Sequence, residues 1–299
     1  MKIETISKDS FSSIVGLEDI KKQLQSALVL GRHVVLVGGP GMGKTTMVKD
    51  MAKLTETKTF VRVQGSPDLS VEDLIGDIDP IKAMEFGPLS QEAFTPGKIF
   101  KANGGILFFD ELNRCSQRLQ NALLQVLEEK KVTIGRFDVD VDVDFIFVGT
   151  MNPEDTNTEP LSDVLLDRFD LIYVHYPTTQ DDEGIIVKKR GVSLVPFPDK
   201  LYAGMIKFVR DLRKNPHMEK VPSVRASIGL YERSQAVAKI NNHPKVSPLD
   251  IMEAMTSVLA HRIRLKPSVA YTTTTAKFLD DSFQKFCESN DIALDSDVP

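Results

Sequence analysis

Cysteine is almost absent from this chain. Its 299 residues include two, Cys115 and Cys287, far apart and without metal-ligand spacing, so neither a disulfide framework nor a zinc site is expected. Both read as inert thiols. Histidine is scarce too: His33, His175, His217, His243 and His261 follow no ligand spacing, and no catalytic role is expected of them. No apolar run approaches the roughly 20 residues that cross a bilayer, and no basic, apolar leader opens the sequence, so a cytoplasmic home is the expectation. No internal repeat is visible. Positive charge is also in deficit, 37 Lys and Arg against 42 Asp and Glu giving a net charge of −5. That argues against duplex DNA as the principal ligand, because phosphate binding draws on clustered cations. The deficit is uneven: residues 179–299 hold 18 basic and 15 acidic side chains, whereas residues 1–178 hold 19 and 27. Such asymmetry suits head-to-tail association, and solvated faces account for it equally well.

What is present is enough for a large core. A hydrophobic fraction of 41% and this length favour two domains. In the first half, HVVLVG (33–38), TFVRVQ (59–64), GILFFD (105–110), FIFVGT (145–150) and LIYVHY (171–176) read as buried strands. Helical patterns lie between them, the clearest from Asn113 to Glu129 with Leu119, Leu123, Val126 and Leu127 on one face. Strands alternating with helices predict an α/β fold, a mostly parallel sheet sandwiched by helices. After Pro177 the strand signal fades, and 182–190, 201–213, 224–240, 248–263 and 274–287 read as helices of an all-helical second domain. Ser247-Pro248-Leu249-Asp250 supplies a capping side chain, a first-turn proline and an acid. The boundary is placed at 178/179, and residues 288–299 read as a frayed acidic tail.

Two motifs carry chemistry. GGPGMGKTT (38–46) satisfies G-x-x-x-x-G-K-[ST] with Gly38, Gly43, Lys44 and Thr45, between an apolar strand and a helix. In that setting the backbone of Gly39, Pro40, Gly41, Met42 and Gly43 wraps the phosphates of a nucleoside triphosphate. Lys44 meets the β- and γ-phosphates, Thr45 ligates Mg²⁺, and Thr46 follows on the helix. The second motif is the pair Asp110–Glu111, arriving abruptly after ILFF. A strand ending there is expected beside the P-loop strand, at the carboxyl edge where such sheets bind ligands. Asp110 would then hold the Mg²⁺ and Glu111 would orient and deprotonate an attacking water. The alternation of VTIGRFDVDVDVDF (132–145) predicts a hairpin with Asp138, Asp140, Asp142 and Asp144 on one face. An EF-hand loop wants glycine where Val143 stands, so a solvated acidic face is expected rather than a calcium site.

With these features in place, the chain resembles an AAA+ ATPase of the MoxR branch, close to the ATPase subunit of magnesium chelatase. The wording FTPGKIFKANGGILFFDELNR and LQNALLQVLEEKKVTIG carries the resemblance, which spans residues 12–265. It implies a P-loop core with a helix-2 insert at about 66–94, a hairpin at about 132–145 and a helical lid over 179–299. It further implies that Val15 and Gly16 sit by the adenine, that Asn152 of FVGTMNP is the sensor-1 residue, that Arg168 of LLDRFD is an arginine finger reaching a neighbouring subunit, and that Arg225 of PSVRAS is sensor 2. Arg114 is left open between a subunit boundary and a plain surface charge. The resemblance implies a hexameric homo-oligomer using ATP and Mg²⁺, and a protein client or partner with a von Willebrand factor A domain. A chelatase subunit, a nucleotide-gated interaction module and a DNA-associated motor are the alternatives. No added DNA-binding domain or basic helix supports the last of these.

Overall fold

The computed structural model describes residues 10–87, 90–134, 139–155 and 158–294. Two compact units divide between His175 and Tyr176. The first is built on five strands: β1 (Val34–Val37), β2 (Phe60–Gln64), β3 (Ile106–Asp110), β4 (Ile146–Met151) and β5 (Asp170–Tyr173). They pair in the order β2-β3-β4-β1-β5, every pair parallel. The fold is the expected α/β sandwich, and alternation along the strands explains its two sides. Val34, Leu36, Ile106, Phe108, Ile146 and Val148 point to one face, where they meet α1 (Glu18–Leu30) and α2 (Lys44–Ala52) through Ile20, Leu24, Leu28, Met47 and Met51. Val35, Val37, Leu107, Phe109 and Phe147 point to the other and meet Leu119, Leu123, Val126 and Leu127 of α3 (Gln117–Glu129). Both faces are buried, so β1 and β3 read as continuous apolar runs.

Several expectations need correction. The strand ending in Asp110 does not lie beside the P-loop strand: β4 stands between them, two strand spacings or about 10 Å separating β3 from β1. The helix expected from Asn113 starts at Gln117, where the Ser116 side chain accepts from Leu119 N; Leu112–Arg114 forms a 3-10 turn instead. In the hairpin, Lys131–Ile134 pairs antiparallel with Val139–Asp142. Asp142 and Asp144 are exposed and Val143 is buried, as alternation predicts; Asp138 and the Asp140 side chain lie outside what is described.

The second unit holds α4 (Gln180–Arg190), α5 (Asp199–Lys214), α6 (Val224–Ile240), α7 (Pro248–Leu259) and α8 (Thr275–Ser289), with one short antiparallel pair of strands. Ser247 and Asp250 form the predicted capping box at the start of α7. Glu183 lies fully buried in this core, accepting from Arg213 at 2.6 Å, Arg210 at 3.1 Å and Ser227 Oγ at 2.6 Å. Burial would raise its pKa, but the Arg213 and Ser227 bonds outweigh that and hold the carboxyl below its ordinary range. The segment read as a frayed tail is docked through Leu294. Ile292 and Leu294 pack on the helical core, and Lys200 and Lys207 bond Asp291 O and the Asn290 side chain. Residues 295–299 lie outside the described residues.

Candidate nucleotide site

Parallel strands bring the ends of β1, β2, β3 and β4 to one edge of the sheet, where the P-loop, the acid pair and Asn152 sit. After β1 the chain turns through Gly41 and Gly43, both at positive φ (+76° and +85°), and enters α2 at Lys44. A Cβ on Gly38 would lie 2.8 Å from Val174 O, so the loop can hug the sheet only as glycine. Lys44 Nζ donates to Gly38 O at 2.5 Å and Gly39 O at 2.7 Å, which aims the ammonium into the loop. Thr45 and Thr46 occupy the first turn of α2, Thr46 N donating to Gly43 O. Unpaired amides at such a helix start attract phosphate.

The loop carrying Val15 and Gly16 is tied to the same helix. Ser13 N donates to Asp50 Oδ2 at 3.1 Å, and Asp50 is a buried residue of α2. Gly16 and Leu17 then take positive φ and lead into α1.

At the end of β3 the two acids diverge. Asp110 Oδ1 accepts from Thr150 Oγ1 at 2.7 Å, and its Oδ2 accepts from Arg62 Nη2 at 2.6 Å. Glu111 takes a left-handed backbone (φ 60°, ψ 53°), uncommon for a residue with a Cβ. Thr150 Oγ1 accepts the Glu111 amide at 2.9 Å and so grips both acids from β4. The Glu111 carboxylate accepts from Gln64 Nε2 at 2.9 Å and pairs with Arg114 Nη1 at 3.0 Å. Arg114 also bonds Asp155 through Nε at 2.7 Å and Nη2 at 2.5 Å, and that bond raises its pKa further. Arg114, left open in the sequence, therefore belongs to the acid pair's surroundings. Gly65, just past β2, donates to Asp110 O at 2.7 Å; a Cβ there would sit 2.1 Å from Glu111 O.

Asn152 follows β4, its side-chain oxygen accepting from Glu154 N at 3.2 Å and its carbonyl from Asn113 Nδ2 at 3.2 Å. The Asn-Pro turn and the edge position thus coexist. Arg168 is elsewhere. It precedes β5, whose first residue bonds back to His33 O at the start of β1, so it lies at the amino edge. A strand's length, about 13 Å over four residues, separates that edge from the P-loop. There Arg168 pairs with Glu128 at 3.0 Å and Asp167 at 3.8 Å. Arg225 sits in the first turn of α6, in the second unit, exposed. His33 Nδ1 accepts from Phe147 N, and burial lowers its pKa to about 4; burial pushes the Cys115 thiol up to about 11.

Sequence reasoning missed Thr150, Arg62, Gln64 and Gly65. Their partners lie on neighbouring strands, and the one available signal was that Gln64 and Thr150 fall at or near strand ends, on the ligand-binding edge. Thr45 and Asp110 offer a hydroxyl and a carboxylate, the hard oxygen donors that Mg²⁺ prefers, and the glycine loop fits a phosphate chain. The residues present therefore fit a metal–nucleotide pair.

Comparison with known proteins gives the family. The model of the AAA domain (dynein-related subfamily) matches residues 33–169, and that of the AAA lid domain matches residues 220–281. YeaC of Bacillus subtilis, itself uncharacterised, is 31% identical over 283 residues, covering 86% of this chain and 85% of its own. The chaperone MoxR1 of Mycobacterium tuberculosis is 27% identical, covering 84% of this chain and 73% of its own. The magnesium-chelatase subunit ChlI of Olisthodiscus luteus is 26% identical, covering 86% and 90%. An α/β sheet ending in a glycine cradle and paired acids, followed by a matched lid, places the chain in the AAA+ ATPase family, on the branch that includes MoxR and the magnesium-chelatase ATPase subunit.

Proposed function

We propose that this ATPase is Mg²⁺-dependent and works as a ring, most simply a hexamer, in which each catalytic site is completed by the next subunit. The observation that carries the proposal is the position of Arg168. It lies at the sheet edge opposite its own P-loop, so it can meet a γ-phosphate only in another copy. A planar, permanently charged fork suits the charge that builds on a transferring phosphoryl group.

Each remaining residue has a stated task. The backbone from Gly39 to Thr46 and the Lys44 ammonium bind the triphosphate, with Val15 and Gly16 beside the base. Thr45 and Asp110 would hold Mg²⁺, which neutralises charge across the β- and γ-phosphates when bound. Glu111 takes the proton of the attacking water. Asn152 orients that water, and Arg225 contacts the phosphate of its own subunit's nucleotide or a neighbour's. The relative named a chaperone supports a protein client, remodelled as ATP turns over, with a von Willebrand factor A partner as one candidate. The ChlI relative supports a second reading, a chelatase-type subunit, which a chelatase partner and a porphyrin substrate would separate from the first. A switch without turnover has less support, because Glu111 is held at the site.

Mixing two inactive variants tests the shared site. Arg168→Ala and Glu111→Gln should each bind ATP and hydrolyse almost none. Mixed, they form interfaces where an intact Glu111 faces an intact Arg168, so ATPase activity should return to a substantial fraction of wild type. Co-assembly without any recovered activity would sink the trans mechanism.

A further inference from the structure

Arg62 stands on the outer strand β2, half exposed, with Nη2 on Asp110 Oδ2 at 2.6 Å and on Gln64 Oε1 at 3.1 Å. Neither contact belongs to the family motifs that identify the site. Asp110 Oδ1 is already engaged by the buried Thr150 hydroxyl. The oxygen that Arg62 occupies is therefore the one more open to a metal. Two cations would claim a single carboxylate, and their mutual repulsion disfavours holding both close. Of the two, Arg62 has somewhere to go: an exposed position on an edge strand lets its side chain swing into water at small cost.

We infer that Arg62 is a placeholder cation, a positioning residue that pairs Asp110 until Mg²⁺ arrives and that Mg²⁺ must displace. The inference rests on the Mg²⁺-ATPase reading above. Displacement has a consequence along the same chain of bonds. Gln64 loses the donor on its oxygen while its amide still reaches Glu111 at 2.9 Å, so metal arrival loosens the support of the second acid as well as freeing the first.

The test reads binding, not turnover. A fluorescent non-hydrolysable ATP analogue is titrated with Mg²⁺ at fixed protein, and the Mg²⁺ concentration at half-maximal signal is compared between variants. Arg62→Gln should lower that midpoint about fivefold, the scale of an exposed ion pair worth about 1 kcal/mol. Arg62→Met, of similar length and without charge, should shift it equally and serves if the glutamine variant folds poorly. Arg62→Lys keeps a competing charge and should stay within about twofold of wild type. Midpoints in Arg62→Gln and Arg62→Met that are unchanged or higher would overturn the inference, since a residue that merely oriented Asp110 for metal would raise the midpoint on removal. A wild-type signal indifferent to Mg²⁺ would instead bring down the Mg²⁺-ATPase reading itself, so the two failures are distinct.

Discussion

Thr150→Val offers the sharpest check on how the acid pair is held. The substitution keeps shape and removes one hydroxyl that is 1% exposed. That hydroxyl donates to Asp110 Oδ1 at 2.7 Å and accepts the Glu111 amide at 2.9 Å. A hydrogen bond to a charged group contributes about 1.5–3 kcal/mol, and an orphaned N–H costs about 1–3 kcal/mol. The two share one atom and partly overlap, so about 3 kcal/mol of stability should vanish. For a unit of this size, that is a fall in melting temperature of about 6–12 °C. The catalytic loss should exceed what stability explains, because Glu111 keeps its left-handed backbone only while its amide is gripped. With the protein still folded at 20 °C, kcat should fall about 100-fold. Nucleotide affinity measured in EDTA should change less than about twofold, since the P-loop stands on β1, not on β3. Thr150→Ser should recover most of the activity by restoring the hydroxyl. Chemical denaturation and steady-state ATPase assays suffice. If Thr150→Val melts with wild-type protein and turns over at the wild-type rate, the clamp assigned to Thr150 is wrong.

Two further outcomes are expected. Glu111→Gln should retain ATP affinity and accumulate assembled, ATP-loaded complexes on size exclusion, with turnover down at least about 100-fold; unimpaired turnover would remove Glu111 from its role as base. His33 should make folding sensitive to mild acid. Its folded pKa is lowered to about 4 from 6.5 by burial, so between those values the unfolded chain takes a proton that the folded chain refuses. Stability is complete above about pH 6.5 and falls as pH drops toward 4, by about 3 kcal/mol from this group alone. Urea unfolding of His33→Gln should show a correspondingly shallower acid loss, and parallel curves for the two proteins would discredit the assignment.

How much was legible in the sequence follows from how far each feature reaches along the chain. The P-loop is local: glycines at positive φ, a lysine and a helix start lie within nine residues. The buried strands were visible because both faces of the sheet are covered, which makes ILFF and VVLV continuous rather than alternating. What escaped notice was lateral. That β4 lies between β3 and β1 is a fact of pairing between residues some 110 positions apart, and Thr150 gains its meaning only from that neighbour. Arg62 and Gln64 likewise touch acids 48 and 47 residues away. Arg114 stays open between a subunit boundary and a surface charge in the sequence, because its partners Glu111 and Asp155 meet only across the folded site. Residues 288–294 were misread for a different reason: ESNDIAL is dominated by polar residues, and Ile292 and Leu294 are too few to form a pattern, yet they suffice to dock this stretch on the helical core.

The crowding at Gly65 has a bearing on how such chains are judged by their motifs. With Glu111 O only 2.1 Å from where a methyl group would go, Gly65→Ala would push the backbone of the acid pair out of place while leaving every charged and phosphate-binding residue intact. A scan for signature letters would pass that variant as competent. Loss of function in this chain can therefore be written at a position that contributes no functional group at all.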